Sequence, residues 1–442
     1  MSASHITQSP AAPARPTPAA FWGYWFRLGC ISVGGPAAQI ALMHQDLVVE
    51  KRWISDARFL HALNYCMVLP GPEAQQMAVY MGWLLYGVWG GIVAGSLFIL
   101  PAFALLVGLS WMYMQWGSQP EVVALLYGVK PLVVALIFSA AWRLARRVLH
   151  ARWLWGMFLL ALCLHALEVS FPAIILLAAV VGWLMQQYLP GRVQSPTSQG
   201  HPSSKAHEPC VIDDHTAPAG GGRLQVLVIW TLVIAALLGL GGLAILVLGY
   251  GWPHVFSQLA LFFGRAAFLT FGGAYAVLPY VFDASVQHFH WLNASQMLDG
   301  LALGESTPGP LIMVVTYIGF VAGWQAGLPM PDWQAGLIGA GVVTWFTFLP
   351  SFALVFLGAP WMERTRQQWR WAAPLNAISA AVVGGIVALA VTLGKHVVWP
   401  AGPDWMAAGM VLLALWLLLR VRVSILWLLP AFMALGWLLK LG

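Results

Sequence analysis

Apolar stretches close to or longer than the roughly 20 residues that a membrane-spanning helix needs recur from Phe21 to the C-terminus, and this feature decides what the chain can fold into. Charged residues make up 8% of the 442 residues, against about 25% in soluble domains, so little length remains for a soluble domain. The first set of stretches falls at 21–43, 57–88, 91–114, 122–142, 153–167 and 171–188. The second falls at 256–280, 295–325, 335–359, 373–393, 404–419 and 424–440. Between them, Pro190 to Arg223 is too polar and too rich in Pro, Ser and Gly to bury a core, and reads as a flexible cytoplasmic linker. A lone apolar stretch at 224–250 follows it. Residues 1–20 lack the apolar region and cleavage site of a secretory signal and read as a disordered cytoplasmic tail.

The two sets of six are copies. A shift of 238 positions lays Gly34-Gly35 on Gly272-Gly273, Trp53 on Trp291, Leu60 on Leu298 and Pro70-Gly71-Pro72 on Pro308-Gly309-Pro310, without a gap. Scattered Leu matches mean little between membrane segments, but a glycine pair, a Trp and Pro-Gly-Pro in one register mark an internal duplication. The expected fold is an all-α integral membrane protein. Its repeats, 21–189 and 251–442, form two six-span bundles, and the single helix 224–250 turns the second copy upside down. With the N-terminus inside, Arg143, Arg146, Arg147, Arg152, Arg192, Lys205, Arg223, Arg364, Arg366, Arg370, Arg420 and Arg422 all fall on the cytoplasmic side, as the positive-inside rule requires. Lys51, Arg52, Arg58, Lys130, Lys395 and Lys440 are left outside, giving thirteen spans and a periplasmic C-terminus. This count takes 57–88 and 295–325 as single crossings broken at Pro-Gly-Pro; a re-entrant hairpin with Pro-Gly-Pro at its tip is the other reading. Inverted repeats with discontinuous helices are the architecture of secondary transporters.

The breaks are where chemistry is expected. Two prolines around a glycine end one helix and start another, and the new helix N-terminus presents unpaired amides and a positive dipole end to an anion. In the first copy the break reads Pro70-Gly71-Pro72-Glu73-Ala74-Gln75-Gln76, and a carboxylate with two amides at membrane depth is costly enough to suggest function. In the second copy Glu305-Ser306-Thr307-Pro308-Gly309-Pro310 puts the acid before the break, so the two copies divide tasks such as substrate contact and proton coupling. Upstream, Ser32, Gly34, Gly35 and Gln39, and in the second copy Thr270, Gly272 and Gly273, allow close helix approach or local unwinding that would line the same cavity. The connector His44 to Arg58, with His44 and Arg52, is read as guiding or gating anions. Arg27 and Arg265 either add charge to the cavity or snorkel to the interface.

The runs Gly34-Gly35-Pro36-Ala37-Ala38-Gln39, Glu50-Lys51-Arg52-Trp53, Phe59-Leu60-His61-Ala62-Leu63-Asn64 and Pro70-Gly71-Pro72-Glu73-Ala74-Gln75-Gln76 resemble the N-terminal motif set of the chromate ion transporter family. Phe271-Gly272-Gly273 and Glu305 to Pro310 resemble its C-terminal set, and Val33 stands where an aromatic residue is common. The resemblance implies the long two-domain form, which expels chromate from the bacterial cytoplasm across the inner membrane, confers resistance, and is driven by the membrane potential or the proton gradient. The alternative substrate is sulfate or another tetrahedral oxyanion.

No cofactor or metal is expected. Cys30, Cys66, Cys163 and Cys210 are widely spaced, without a C-x-x-C pair, and the 12 histidines are scattered. An intramembrane enzyme would need clustered acid, base or ligand residues that this pattern lacks. The net charge of +6 reflects topology-setting Lys and Arg and does not call for nucleic acid. The expected partners are chromate, with sulfate and protons as further candidates, the lipid bilayer, and a second copy in a homodimer.

Overall fold

The computed structural model describes residues 13–33, 35–188, 210–213, 224–271, 273–362, 372–400 and 402–441. The expectations placed on Gly34, Gly272, residues 1–12 and most of the 190–223 linker lie outside these residues. The described chain is almost entirely helical, which is how a backbone satisfies its own polar groups where water is absent. Among the described residues, six segments are long and apolar enough to cross a bilayer, at Glu73–Trp116, Pro120–Val148, Phe171–Tyr188, Ile229–Tyr250, Asp332–Ala359 and Ala373–Val398. The protein is a multi-pass membrane protein.

The elements that begin each copy are short. In the first copy α1 spans Pro18–Ile31, α2 spans Gly35–His44 and continues as a π-helical turn to Glu50, and α3 spans Asp56–Cys66. The helix α4, Glu73–Trp116, carries non-helical backbone at Tyr86 and Gly87. A 14-residue helix is only about 21 Å long, short of the ~30 Å hydrocarbon core. In the second copy α10 spans Val255–Leu269, α11 Ala274–Phe282, α12 Ala294–Ser306, α13 Val314–Trp324 and α14 Asp332–Met362. The long helix α5 is Pro120–Val148 and α15 is Ala372–Val398. Shorter helices complete the set: α6 Arg152–Ala166, α7 Phe171–Tyr188, α8 Leu224–Ala236, α9 Gly242–Tyr250, α16 Trp405–Trp416 and α17 Ile425–Leu441.

The short helices pair as hairpins. A methyl at Gly304 would sit 3.2 Å from the Val314 side chain and one at Gly300 would strike the Tyr317 ring, whose hydroxyl donates to the Gln296 carbonyl at 3.0 Å. Residues 300 and 317 would be about 25 Å apart in one straight helix; here α12 and α13 lie side by side and antiparallel, with Thr307 to Pro310 at the tip. The first copy repeats this, with Tyr65 and Tyr80 ring centroids 5.7 Å apart. Phe262 of α10 meets Tyr280 of α11 at 4.8 Å, and α1 and α2 close a cleft of about 180 Å³ lined by Tyr24, Arg27, Leu42, Asp46 and Glu50. The expectation of broken single crossings is therefore corrected at 57–88 and 295–325, and with it that of single crossings at 21–43 and 256–280. A second reversal follows in α4, where Gly82 and Gly90 touch backbone to backbone across the Tyr86–Gly87 turn.

The linker supplies an independent check. Residues 210–213 form a one-bridge strand against the connector, with Ile212 N donating to Trp53 O at 3.0 Å, Ser55 N to Ile212 O at 3.0 Å and Val211 N to Arg52 O at 3.1 Å. These four residues form a strap on the connector; the rest of the expected linker lies outside the described residues. The connector and the linker share one face of the protein, whereas thirteen crossings had put Arg52 and Arg58 on the opposite side from the linker. Two returning hairpins replace two crossings, so the order of all later loops is unchanged.

The tips of the four hairpins meet. Gly71 N donates to Thr270 O at 2.7 Å and Gly309 N donates to Ser32 O at 2.8 Å. Under the 238-residue shift 71 becomes 309 and 32 becomes 270, so the two bonds are each other's equivalents with the copies exchanged. Gly35, Gly71, Gly273 and Gly309 all hold positive φ, at 83°, 131°, 100° and 105°, which a side chain rarely tolerates. The limb of α4 after its Tyr86–Gly87 reversal, 88–116, spans the whole assembly. Tyr86 at one end packs on Phe21 with centroids 4.9 Å apart, Ala102 midway abuts the Gly309 tip, and Tyr113 near the other end packs on Tyr317 at 5.6 Å.

Two outcomes follow from this arrangement. Gly309→Ala and Gly71→Ala combine a backbone penalty of about 1–3 kcal/mol with a clash, against Ala102 Cβ at 2.5 Å and against Ser351 Oγ. Each lowers the melting temperature of the detergent-purified protein, while Gly108→Ala, with open space around it, does not. In a cysteine-free background, Val49→Cys and Tyr188→Cys react with a membrane-impermeant maleimide from the same side, and Trp252→Cys from the opposite one.

Candidate functional site

Eight half-helix ends converge on the tips, and the side chains there are the ones the motifs singled out. Gln39 reaches from α2 across the tip junction, its Nε2 donating to Gly309 O at 2.6 Å and to Ser32 O at 3.3 Å. Gln76 turns back on its own hairpin and donates to Pro70 O at 2.7 Å. Both amides therefore clasp the tips. Their Oε1 atoms, both polar atoms of Gln75, and the hydroxyls of Ser32 and Ser351 are buried with no partner among the described residues. Such orphans are costly in an apolar interior, so these groups stand out as candidates to bind a polar ligand.

The hydroxyls of the second Pro-Gly-Pro motif behave differently. Ser306 Oγ donates to Leu303 O at 2.8 Å and Thr307 Oγ1 to Gly304 O at 3.0 Å, so both protons cap the end of α12. Glu305 accepts a 2.6 Å hydrogen bond from the Tyr275 hydroxyl, carried by the first turn of α11. A methyl at Gly273 would lie 3.9 Å from Glu73 Oε1, which brings the carboxylate of the first copy to the glycine tip of the second.

Two arginines complete the constellation. Arg143 acts electrostatically on both Glu305 and Tyr275, and Arg147 on Glu73, with its Nη2 3.4 Å from Met67 Sδ at the first proline tip. They are one turn apart on α5, so they share a helix face, and both are exposed. The sequence reading placed them in a loop as topology determinants; their i, i+4 spacing at the end of an apolar span was the available signal. Ser351 was also missed. Leu349-Pro350-Ser351-Phe352 matches Leu100-Pro101-Ala102-Phe103 at a shift of 249, a register 11 residues longer than 238, and Ser351 abuts Gly71 as Ala102 abuts Gly309.

Other expected residues lie elsewhere. His44 Nε2 pairs with Asp56 Oδ1 at 2.6 Å in the connector, and Arg52 carries the strap on its carbonyl, so both belong to the hairpin bases. Arg27 and Arg265 line equivalent clefts inside the first hairpin of each copy, the second being about 260 Å³ and including Asp283 and His288. Among the described residues, no group of three or more His, Cys, Asp or Glu has metal-holding geometry.

A sequence profile described as Chromate transporter matches residues 19–183 and again 257–437. The chain belongs to the chromate transporter family. The two matches start 238 residues apart, the same shift that superposes the motifs and the tip bonds. Within the family, the chain is 30% identical over 412 residues to a chromate transport protein of Pseudomonas aeruginosa, covering 89% of this chain and 86% of that protein. It is 29% identical over 378 residues to the chromate transport protein of Cupriavidus metallidurans, covering 84% and 82% of the two chains. An uncharacterized transporter of Methanocaldococcus jannaschii is 25% identical over 377 residues, covering 85% and 84%. No solved structure matches this chain.

For this chromate transporter family member the geometry separates clasps from candidate ligand groups. Tyr275→Phe removes a hydrogen bond to a carboxylate, a change of about 1.5–3 kcal/mol, and lowers the melting temperature. Ser306→Ala, whose hydroxyl only caps its own helix, changes it by less than half as much.

Proposed function

We propose that this protein is a secondary transporter that exports chromate from the cytoplasm across the bacterial inner membrane and so confers resistance to it. The relatives that bear chromate in their names match most of both chains, and a cluster of buried polar groups at the tips, with two exposed arginines acting on its glutamates, suits a tetrahedral dianion. The single observation that carries the mechanism is the reciprocal pair of tip bonds, Gly71 to Thr270 and Gly309 to Ser32.

Reciprocal bonds support two copies related by a two-fold axis through the tips. The way α4 meets the first copy's hairpin at one end and the second copy's hairpin at the other supports an axis lying in the membrane plane, which makes the repeats inverted. In this arrangement the hairpins of the first copy open to the cytoplasm and those of the second to the periplasm. The N-terminus is cytoplasmic and the C-terminus periplasmic. Lys51, Arg52 and Arg58 then join Arg143, Arg146, Arg147 and Arg152 on the cytoplasmic side, a stronger positive-inside bias than thirteen crossings allowed.

Chromate enters from the cytoplasm along the exposed faces of Arg143 and Arg147 and meets the hydroxyls of Ser32 and Ser351 and the amide of Gln75. Gly35, Gly71, Gly273 and Gly309 keep backbone close to the ligand, and Pro70, Pro72, Pro308 and Pro310 hold the tips open. Glu73 and Glu305 compete with the dianion for the same arginines. Two unit charges 4 Å apart interact by about 4 kcal/mol at an effective dielectric of 20, so substrate binds when the glutamates are protonated or swing away. That competition links anion binding to proton binding.

Inside-out vesicles loaded by labelled chromate test the reading. Uptake is expected to rise under an imposed proton gradient and to persist in excess sulfate; uptake equal to that of empty vesicles would sink the proposal. Arg143→Gln and Arg147→Gln each weaken substrate by on the order of 2–4 kcal/mol, about 30-fold or more in apparent affinity. Glu73→Gln and Glu305→Gln reduce net transport while inserting normally, and full activity in both would remove the glutamates from the mechanism.

A further inference from the structure

Away from the tips, one buried carboxylate remains without a role. Asp299 lies in the second turn of α12 and is 3% exposed. Its Oδ2 accepts a 3.0 Å hydrogen bond from the Tyr113 hydroxyl of α4, and its Oδ1 lies 3.4 Å from Lys130 Nζ of α5. Lys130 also donates to Ser295 Oγ at 2.7 Å, near the start of α12, and its side chain is 24% exposed, so the lysine leads from the buried carboxylate to the protein surface near the base of the hairpin. Tyr317 of α13 stands edge-on to Tyr113. These are the charged and titratable groups that face Asp299. Of the cations on the other helices touching α12, Lys440 of α17 sits over the Tyr127 ring at 4.4 Å, His396 of α15 contacts Thr392 O at 2.9 Å, and Lys395 of α15 is exposed.

The location gives this pair its meaning. It fastens the second proline hairpin to α4 and α5, the helices that carry Ala102 at the tip and Arg143 and Arg147 beside the glutamates. Asp299 precedes Glu305 by six residues on the same helix, about 9 Å along its axis. A buried ion pair is a net stabiliser only while both charges are present, and losing one leaves the other desolvated. A single proton is enough to break the fastening.

Resting on the transport reading above, we propose that Asp299 is a proton-binding site, separate from the glutamates at the tips, whose occupancy releases Lys130 and frees the α12–α13 hairpin to move against α4 and α5. A proton from the periplasmic aqueous phase adds to the carboxylate, Lys130 turns to its other partner, Ser295, and the neutral acid keeps its hydrogen bond with Tyr113. The tip displaced by this movement is the one that carries Glu305 and Gly309, which ties proton entry on one side to anion release at the centre.

The experiment uses the full chain in proteoliposomes, with chromate as the probe, and compares chromate counterflow at equal pH with steady-state accumulation under an imposed pH gradient. Each proton carried per cycle changes the accumulation ratio about tenfold per pH unit. Asp299→Asn is expected to keep counterflow and to lose one such factor of ten per pH unit, and Lys130→Gln, which leaves the carboxylate to take up its proton permanently, to do the same. Asp299→Glu keeps the wild-type slope. If Asp299→Asn does not yield a monodisperse protein, Lys130→Gln carries the test. A wild-type slope in either neutralised variant overturns the proposal, as does recovery of that slope in the double variant Lys130→Gln/Asp299→Asn, which would make the pair purely structural. Absence of chromate counterflow in the unaltered protein overturns the transport reading and this inference with it.

Discussion

Backbone amides that end in the middle of a bilayer must find partners within the protein, and everything else in this structure answers to that requirement. Four hairpins bring eight helix ends to one level. A single copy of the repeat leaves its tips unpaired, because Gly71 and Ser32 bond to the other copy and not to each other. Duplication here is therefore interlocking. Movement of one hairpin cannot open its tip without releasing a bond that the other copy also depends on, so the two halves of the molecule share one set of alternatives.

The long helices divide the work differently. The α5 helix meets the Asp299 pair through Lys130 and reaches the tip carboxylates through Arg143 and Arg147, about 20 Å further along. The α4 and α14 helices each present a small residue, Ala102 or Ser351, to the glycine of the opposite proline tip. Small residues at these crossings let backbone approach backbone, as with Gly319 and Gly339 in the α13–α14 pair. The rigid parts are thus close-packed glycine seams, and the parts with polar fastenings are the hairpins that hold the motifs.

Much of this was legible in the residues. The register of 238, the breaks at Gly34-Gly35 and Pro-Gly-Pro, and the convergence of both on one region all follow from identities such as Pro70-Gly71-Pro72 against Pro308-Gly309-Pro310. The choice of hairpins over broken crossings was not legible, because two antiparallel half-helices of about 13 residues offer the same summed apolar length as one tilted crossing, and hydropathy carries no direction. Their reversals sit at Tyr86–Gly87 and at the tips, where the local signal of glycine and proline is the same for a kink as for a turn. The strap at 210–213 escaped notice because Val211 and Ile212 are only two apolar residues in a polar linker. Asp299 was passed over because the register pairs it with His61, so the comparison of copies that exposed the breaks hid the fastening.

That mismatch bears on direction. The backbone of the two copies is duplicated down to four positive-φ glycines, but the ionisable side chains are not: Glu73 faces Leu311 across the register, Glu305 faces Met67, and Asp299 faces His61. A frame with full two-fold equivalence gives its two opposed conformations equal energy, and a ligand can bias such a pair only by its differential affinity for them. On the transport reading proposed above, the backbone symmetry would supply two opposed states, and these three unmatched positions the inequality between them. Substituting side chains at the tips and at Asp299 can alter which way the molecule rests while leaving the reciprocal bonds, and with them the fold, in place.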